Sequence, residues 1–201
     1  MGITVSGRFI LASASPRRVE LLKLMGLAFE VMPSGIDETM NRGETPREHV
    51  LRLSEEKALA VARVHTDAWV LGADTIVIIE GEVLGKPGSP PEAREMLEKL
   101  SGREHEVFTG FSIANRKAGI LIREMVESTV LFREITDDEM DWYTASAEPY
   151  DKAGAYAVQG MGAFFIREIR GSYTNVMGLP LCEVVDALKG VLAIGFSREG
   201  V

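Results

Sequence analysis

The chain has 201 residues, a formal net charge of −8, and a composition that is 46% hydrophobic and 26% charged. That length suits one domain with a sizeable core or two small ones, and the composition excludes collagen, coiled coil and a disordered tail. A single cysteine, Cys182, excludes an internal disulfide, the acidic balance argues against long nucleic acids as the main partner, and no apolar run reaches the roughly 20 residues that span a bilayer.

The predicted elements run as follows. "RFILAS" reads as a short buried strand. Ser15 and Pro16 then take the N-cap and first helical positions, "RRVELLKLMG" has helical spacing, and Gly26 stops it. "AFEVMP" predicts a second strand, and the polar stretch from Ser34 to Glu44 a loop. Thr45-Pro46-Arg47-Glu48 is a capping box that opens a long amphipathic helix reaching about His65. "AWVLGADTIVIIE" predicts a strand or strand pair interrupted near Gly72-Ala73-Asp74, with a hairpin turn at Glu80-Gly81 before "EVLGKP". Ser89-Pro90-Pro91-Glu92 is a second capping box, with a helix to about Leu100. "HEVFTGFSIANR" and "GILIREMVESTVLFRE" are long strand-like runs that turn at Lys117-Ala118-Gly119. Thr136-Asp137-Asp138-Glu139 is a third box before a short helix. "AFFIREI" predicts a strand and "LPLCEVVDALK" the closing helix. Strands and helices mix without repeat or linker, which predicts a single α/β or α+β domain over residues 1–201 around a mixed sheet.

Four polar clusters sit at strand ends or in loops, where function concentrates. In Ser13-Ala14-Ser15-Pro16-Arg17-Arg18 a helix N-terminus offers free backbone N–H groups, two serine donors and two arginines able to grip phosphate. A capped surface helix with two solvated arginines accounts for the same residues. Asp37-Glu38 are either solvated loop carboxylates or ligands for Mg²⁺, which takes one or two carboxylates plus substrate phosphates. Asp74 breaks an apolar run, where a carboxylate is costly unless paired, exposed in a cleft or bound to metal; a turn aspartate is the plain alternative. Lys86 follows the hairpin and can reach back toward Asp74. Lys57, in "SEEKALAVA", reads alone as an exposed lysine. In "AGAYAVQGMGAFFI", Gly154, Gly160 and Gly162 allow close backbone approach, and Gln159 carries both a donor and an acceptor for the edge of a base. Ser172, Thr174 and Asn175 in "GSYTNVMGLPL" suit turn chemistry and helix capping as readily as a ligand.

In order, "SASPRR", "DE", "GADT", "GKP", "YAVQG" and "GSYTNVMGLPL" resemble the motifs of the Maf family of nucleotide pyrophosphatases, from about Phe9 to Leu188. The resemblance implies an elongated, Maf/ITPase-like α/β fold: a central mixed β-sheet flanked by helices, with two lobes around a deep cleft. It implies cleavage of a nucleoside triphosphate to the monophosphate and pyrophosphate with a divalent metal cation, Mg²⁺ or Mn²⁺. Matched residue by residue, Asp74 takes the place of the catalytic base, with metal binding as its other or additional role. Arg17, Thr75 and Gln159 fall at specificity positions, Ser13, Arg18, Lys57 and Lys86 at phosphate-binding positions, and Glu38 joins Asp74 as a metal ligand. Arg, Thr and Gln at the specificity positions match the dTTP/UTP branch, whereas the 7-methyl-GTP branch carries Trp, Gln and Glu. The implied partner is a small nucleotide, with no nucleic acid and no membrane; homodimers are common in the family, and the implied compartment is the cytoplasm. Two other readings stay open: the same chemistry on 7-methyl-GTP or other modified nucleotides, and a non-enzymatic nucleotide-binding regulator of cell division. The last has no need of a general base, so the intact set of Asp74, Glu38, Lys57 and Lys86 speaks against it.

Overall fold

A computed structural model of the chain describes residues 2–197. In chain order the elements are β1 (Gly2–Val5), β2 (Phe9–Leu11), α1 (Pro16–Leu24), β3 (Glu30–Val31), α2 (Pro46–Ala62), β4 (Trp69–Ile79), β5 (Glu82–Leu84), α3 (Pro90–Leu100), β6 (Glu104–Asn115), β7 (Ile120–Phe132), α4 (Asp137–Thr144), β8 (Ile166–Arg170), α5 (Tyr173–Val176), α6 (Leu181–Gly190) and β9 (Ile194–Ser197). Short 3₁₀ turns cover Glu148–Asp151, Ala153–Ala155 and Met161–Phe165. Seven strands make one mixed sheet in the order β3-β2-β4-β6-β7-β8, with β5 paired to β4; β1 and β9 form a separate two-stranded ribbon. The mixed α/β architecture is the one expected from the sequence. Among the described residues no helix is long and apolar enough to cross a membrane.

The chain divides into two compact units, and it crosses between them within β4, β6 and β7. The first unit holds the residues up to Asp74, Thr109–Met125 and those from Gly178 on. Here β2 lies between parallel neighbours β3 and β4. Ile10, Ala12, Ala58, Val61, Ala62, Val70 and Ala114 form a core between α2 and the strands β2, β4 and β6. The capping box at the start of α2 is present in full: Thr45 Oγ1 accepts from Glu48 N–H (3.2 Å), and Glu48 Oε2 accepts from Thr45 N–H (2.9 Å). Two glycines then let the α2 backbone lie directly on the strands. A Cβ at Gly72 would fall 2.3 Å from the Ser54 carbonyl oxygen, and one at Gly110 would fall 2.3 Å from that of Val50.

That contact corrects the expected break in β4. Gly72, Ala73 and Asp74 are regular strand residues, and β4 is buried along nearly its whole length. The glycine makes room for a helix rather than a turn, and the charge of Asp74 is met from α2. The continuous apolar run therefore reads as a strand covered on both faces. Three other boundaries shift. The "AFEVMP" strand shrinks to Glu30–Val31, α2 ends at Ala62 rather than near His65, and β1 and β9 lie outside the expected elements.

The second unit comprises Thr75–Phe108 and Val126–Met177. β4 and β5 form a hairpin through Glu80-Gly81, both at positive φ (51° and 83°), as a primed turn requires. Ala93, Met96, Leu97 and Leu100 of α3, at helical spacing, pack with Val77, Ile79, Val107, Val130 and Phe132. Fully burying each large side chain contributes about 1.5–3 kcal/mol. The box at Thr136 is complete, but the one at Ser89 is half made: Ser89 Oγ accepts from Glu92 N–H (3.4 Å), while Glu92 Oε2 reaches one residue further back to Gly88 N–H (2.7 Å). The expected "AFFIREI" strand begins only at Ile166, because a 3₁₀ turn occupies Met161–Phe165. Its first N–H groups are held by Glu148 and so are unavailable to a ladder.

Candidate active site

In the first unit the opening motif folds back on itself. Ser15 stands at the N-cap of α1 with Pro16 at the first helical position, but its side chain makes no cap; instead Ser15 N–H donates to Ser13 Oγ (3.2 Å). Arg18 is buried rather than solvated, at 7% exposure. Its Nε donates to the Gly178 carbonyl (2.8 Å) and its Nη1 to Ser13 Oγ (3.1 Å). Ser13 Oγ thus accepts two hydrogen bonds, and its own O–H can still donate. Burial pulls the Arg18 guanidinium below its ordinary value, and the negative charge of Asp74 opposes that pull. Arg17 is half-buried on α1.

Lys57 corrects the expectation of an exposed lysine. It lies on the strand-facing side of α2, 4% exposed. Its Nζ is 2.7 Å from Asp74 Oδ1 and 2.7 Å from Glu38 Oε1. One ammonium therefore gathers a carboxylate from β4 and another from the loop after β3. Asp74 is buried at 7%, so the pairing answers the cost of a charge inside a strand. Asp37 bonds within its own loop, its Oδ1 accepting from Thr39 N–H (2.9 Å) and Thr39 Oγ1 (2.7 Å).

The loop that carries Glu38 is tied to α2 by a pair the sequence reading missed. Glu44 accepts from Arg52 Nε (2.6 Å) and Arg52 Nη2 (2.8 Å), and also from Asn41 N–H (3.0 Å). Arg52 Nη2 donates as well to the carbonyl of Thr39, the residue after Glu38 (3.1 Å). The bonds from Arg52 hold the Glu44 carboxyl down at about 2. A fork eight residues away in sequence leaves no periodic signal.

Glu38 and Asp74 are oxygen donors held on a shared cation, and among the described residues no group of three or more His, Cys, Asp or Glu side chains stands ready as a metal cage. Two carboxylates fit a hard cation that completes its shell with water and substrate oxygens, as Mg²⁺ does.

In the second unit Thr75 is half-buried on β4, Lys86 is exposed after β5, and Gln159 is exposed in the segment before the Met161–Phe165 turn. Ser172 serves as a cap: its Oγ accepts from Asn175 N–H (3.2 Å) at the start of α5. Buried Asn175 donates to the Val107 carbonyl (3.0 Å) and to Ser128 Oγ (3.0 Å).

Fold and site together define an α/β protein in which buried Asp74, Lys57 and Arg18 and the exposed loop carboxylate of Glu38 form a charge-balanced cluster. A family model described as Maf-like protein matches residues 8–191. A dTTP/UTP pyrophosphatase of Syntrophus aciditrophicus is 64% identical over 96% of this chain and 94% of its own. One from Geotalea uraniireducens is 51% identical over 92% and 95%, and one from Bacillus cytotoxicus 47% over 90% and 94%. Among solved structures, the Staphylococcus aureus Ham1 protein shares the fold, with a TM-score of 0.51 at 14% identity over 92% of this chain and 100% of that one. The chain belongs to the Maf family.

Proposed function

We propose that this protein hydrolyses UTP and dTTP between the α and β phosphates, releasing the nucleoside monophosphate and pyrophosphate. The observation that carries the reading is the buried Asp74 carboxylate bonded to Lys57, with Glu38 on the same ammonium. The names of relatives up to 64% identical support it. A net charge of −8 suits a small nucleotide better than a nucleic acid, and a cytoplasmic setting supplies such nucleotides.

The water that attacks the α-phosphorus must lose a proton as the new P–O bond forms. With Oδ1 engaged by Lys57, Asp74 Oδ2 is the oxygen that accepts it, general-base help worth about a hundred- to ten-thousand-fold. The electron pair of the broken bond leaves on pyrophosphate. Lys57, Arg18 and Lys86 balance the charge of the phosphates and the leaving group, and Ser13 places a hydroxyl beside Arg18. A divalent cation, Mg²⁺ or Mn²⁺, held by Glu38 and Asp74 would draw charge from the phosphate oxygens.

Arg17, Thr75 and Gln159 set base choice in this reading. Uracil and thymine present an N3–H between two carbonyls, and an amide can accept from the first and donate to a neighbour. A carboxylate offers only acceptors, which suits the donor edge of guanine. The test is a panel of nucleoside triphosphates with Mg²⁺ or Mn²⁺, scored for pyrophosphate. UTP and dTTP should be preferred over CTP and GTP, and Gln159→Glu should lose most pyrimidine activity. Absence of pyrophosphate release from every nucleotide, or preference for GTP or 7-methyl-GTP, overturns the proposal.

A further inference from the structure

Gln159 sits in a stretch, residues 156–160, that belongs to no helix or strand. Something other than regular structure must therefore fix where its amide points. On the upstream side the anchor is Tyr156, buried, with its hydroxyl 2.8 Å from His105 Nε2. On the downstream side it is one carboxylate. Glu148 Oε2 accepts from Met161 N–H (2.9 Å), and Glu148 Oε1 accepts from Gly162 N–H (2.8 Å) and from the Tyr143 hydroxyl (3.0 Å). Those N–H groups open a 3₁₀ turn and have no partner inside it.

The backbone is shaped to let this carboxylate close over it. Gly160 has φ 137°, and a Cβ there would fall 2.4 Å from Glu148 Oε2. A Cβ at Gly162 would fall 2.8 Å from the Tyr143 hydroxyl oxygen. The tyrosine is itself buried, and both burial and the charge of Glu148 push its hydroxyl above the ordinary value. Both oxygens of Glu148 are thus committed to the protein. Its bonds close on the two residues that follow Gln159-Gly160.

We propose that Glu148 is a positioning residue for base choice: by clamping Met161 and Gly162 it holds the Gln159 amide in the orientation that reads a pyrimidine. The proposal rests on the assignment of Gln159 as the base reader. Glu148 touches no reacting atom. Its effect passes through the backbone of one short segment, so it should alter discrimination between bases more than the chemical step.

The test compares kcat/KM for UTP and for GTP. Glu148→Gln keeps the shape but turns an acceptor oxygen into an amino group facing a backbone N–H. The UTP-to-GTP ratio should fall by about tenfold to a hundredfold, chiefly through KM for UTP, since misplacements of about 1 Å cost that much. Gly160→Ala drives a methyl group against the same carboxylate and should give the same fall; it carries the test alone if Glu148→Gln does not fold. In a Gln159→Ala background, adding Glu148→Gln should leave the ratio unchanged. A further fall in that background, or equal losses for both nucleotides in the single variant, overturns the clamp. If Gln159→Ala lowers the ratio and Glu148→Gln does not, the clamp alone fails. If Gln159→Ala leaves the ratio unchanged, the base-reader assignment fails and the clamp with it.

Discussion

Lys57 Nζ donates to Asp74 Oδ1 across 2.7 Å, with the two side chains only 6% and 10% exposed. In the proposed reaction this bond leaves Asp74 Oδ2 for the proton of the attacking water. Asp74→Asn keeps the shape but cannot take that proton. Turnover of UTP at saturating Mg²⁺ should fall by at least about a hundredfold. Binding of a non-hydrolysable UTP analogue should persist, because loss of a carboxylate relieves repulsion with the phosphates. Near-normal turnover would remove Asp74 as the base.

The same pair makes a prediction about stability. Removing one member of a buried ion pair strands the other, at a cost of about 3–5 kcal/mol. Lys57→Met should lie near the low end, because Glu38 can turn to solvent while Asp74 cannot. Adding Asp74→Asn removes the stranded charge and should restore about half of the loss. A double-mutant cycle in urea measures the coupling. Strictly additive effects would show that the two residues do not stabilise each other.

Gly72→Ala should act on the site from behind. Its Cβ would meet backbone, the Ser54 carbonyl at 2.3 Å and the Ala58 nitrogen at 2.6 Å, so the helix that carries Lys57 must move. Overpacking of this kind costs about 1–3 kcal/mol. Thermal unfolding should register that cost, and UTP turnover measured well below the lowered Tm should fall as well. Full activity with unchanged Tm would mean that α2 accommodates the methyl group.

His105 predicts a pH dependence in the second unit. Burial holds its imidazole down at about 3, and it stays neutral in the fold. Unfolded, it titrates near its ordinary value, so between there and about 3 the unfolded state binds the extra proton. Stability is then full above the unfolded value and is lost as pH falls through the window, at about 1.4 kcal/mol per pH unit. His105→Gln keeps a partner for the Tyr156 hydroxyl but does not titrate. Between pH 7 and pH 5 the wild type should lose about 2 kcal/mol more than the variant in denaturant unfolding. Identical pH profiles would sink the assignment.

The capping boxes at Thr45 and Thr136 and the hairpin at Glu80-Gly81 were legible because their physics is local: partners stand one to three residues apart. The continuity of β4 is illegible for the complementary reason. Gly-Ala-Asp looks like turn chemistry until α2, seventeen residues upstream of Asp74 at Lys57, supplies both a backbone to pack on and a counter-charge. The burial of Lys57 is hidden likewise, since helical spacing names its neighbours on α2 but not the carboxylates that reach it. The order of motifs groups Ser13, Arg18, Glu38, Lys57 and Asp74, and the first unit brings these five side chains near one another. Glu148 and the Glu44–Arg52 fork left no trace, because an acidic residue beside Pro149 or in a polar loop looks like any solvated carboxylate.

The β1–β9 ribbon has a kinetic consequence. Thr4 Oγ1 donates to the Gly195 carbonyl across 191 residues of chain, so this ribbon closes a loop almost as long as the protein. Loop-closure entropy grows with the logarithm of length, and a two-stranded ribbon is marginal by itself. It should therefore pair after the elements between have condensed, late in folding and early in unfolding. Amide exchange at β1 and β9 should then report a local opening well below the global free energy, while the strand that carries Asp74 exchanges with the core.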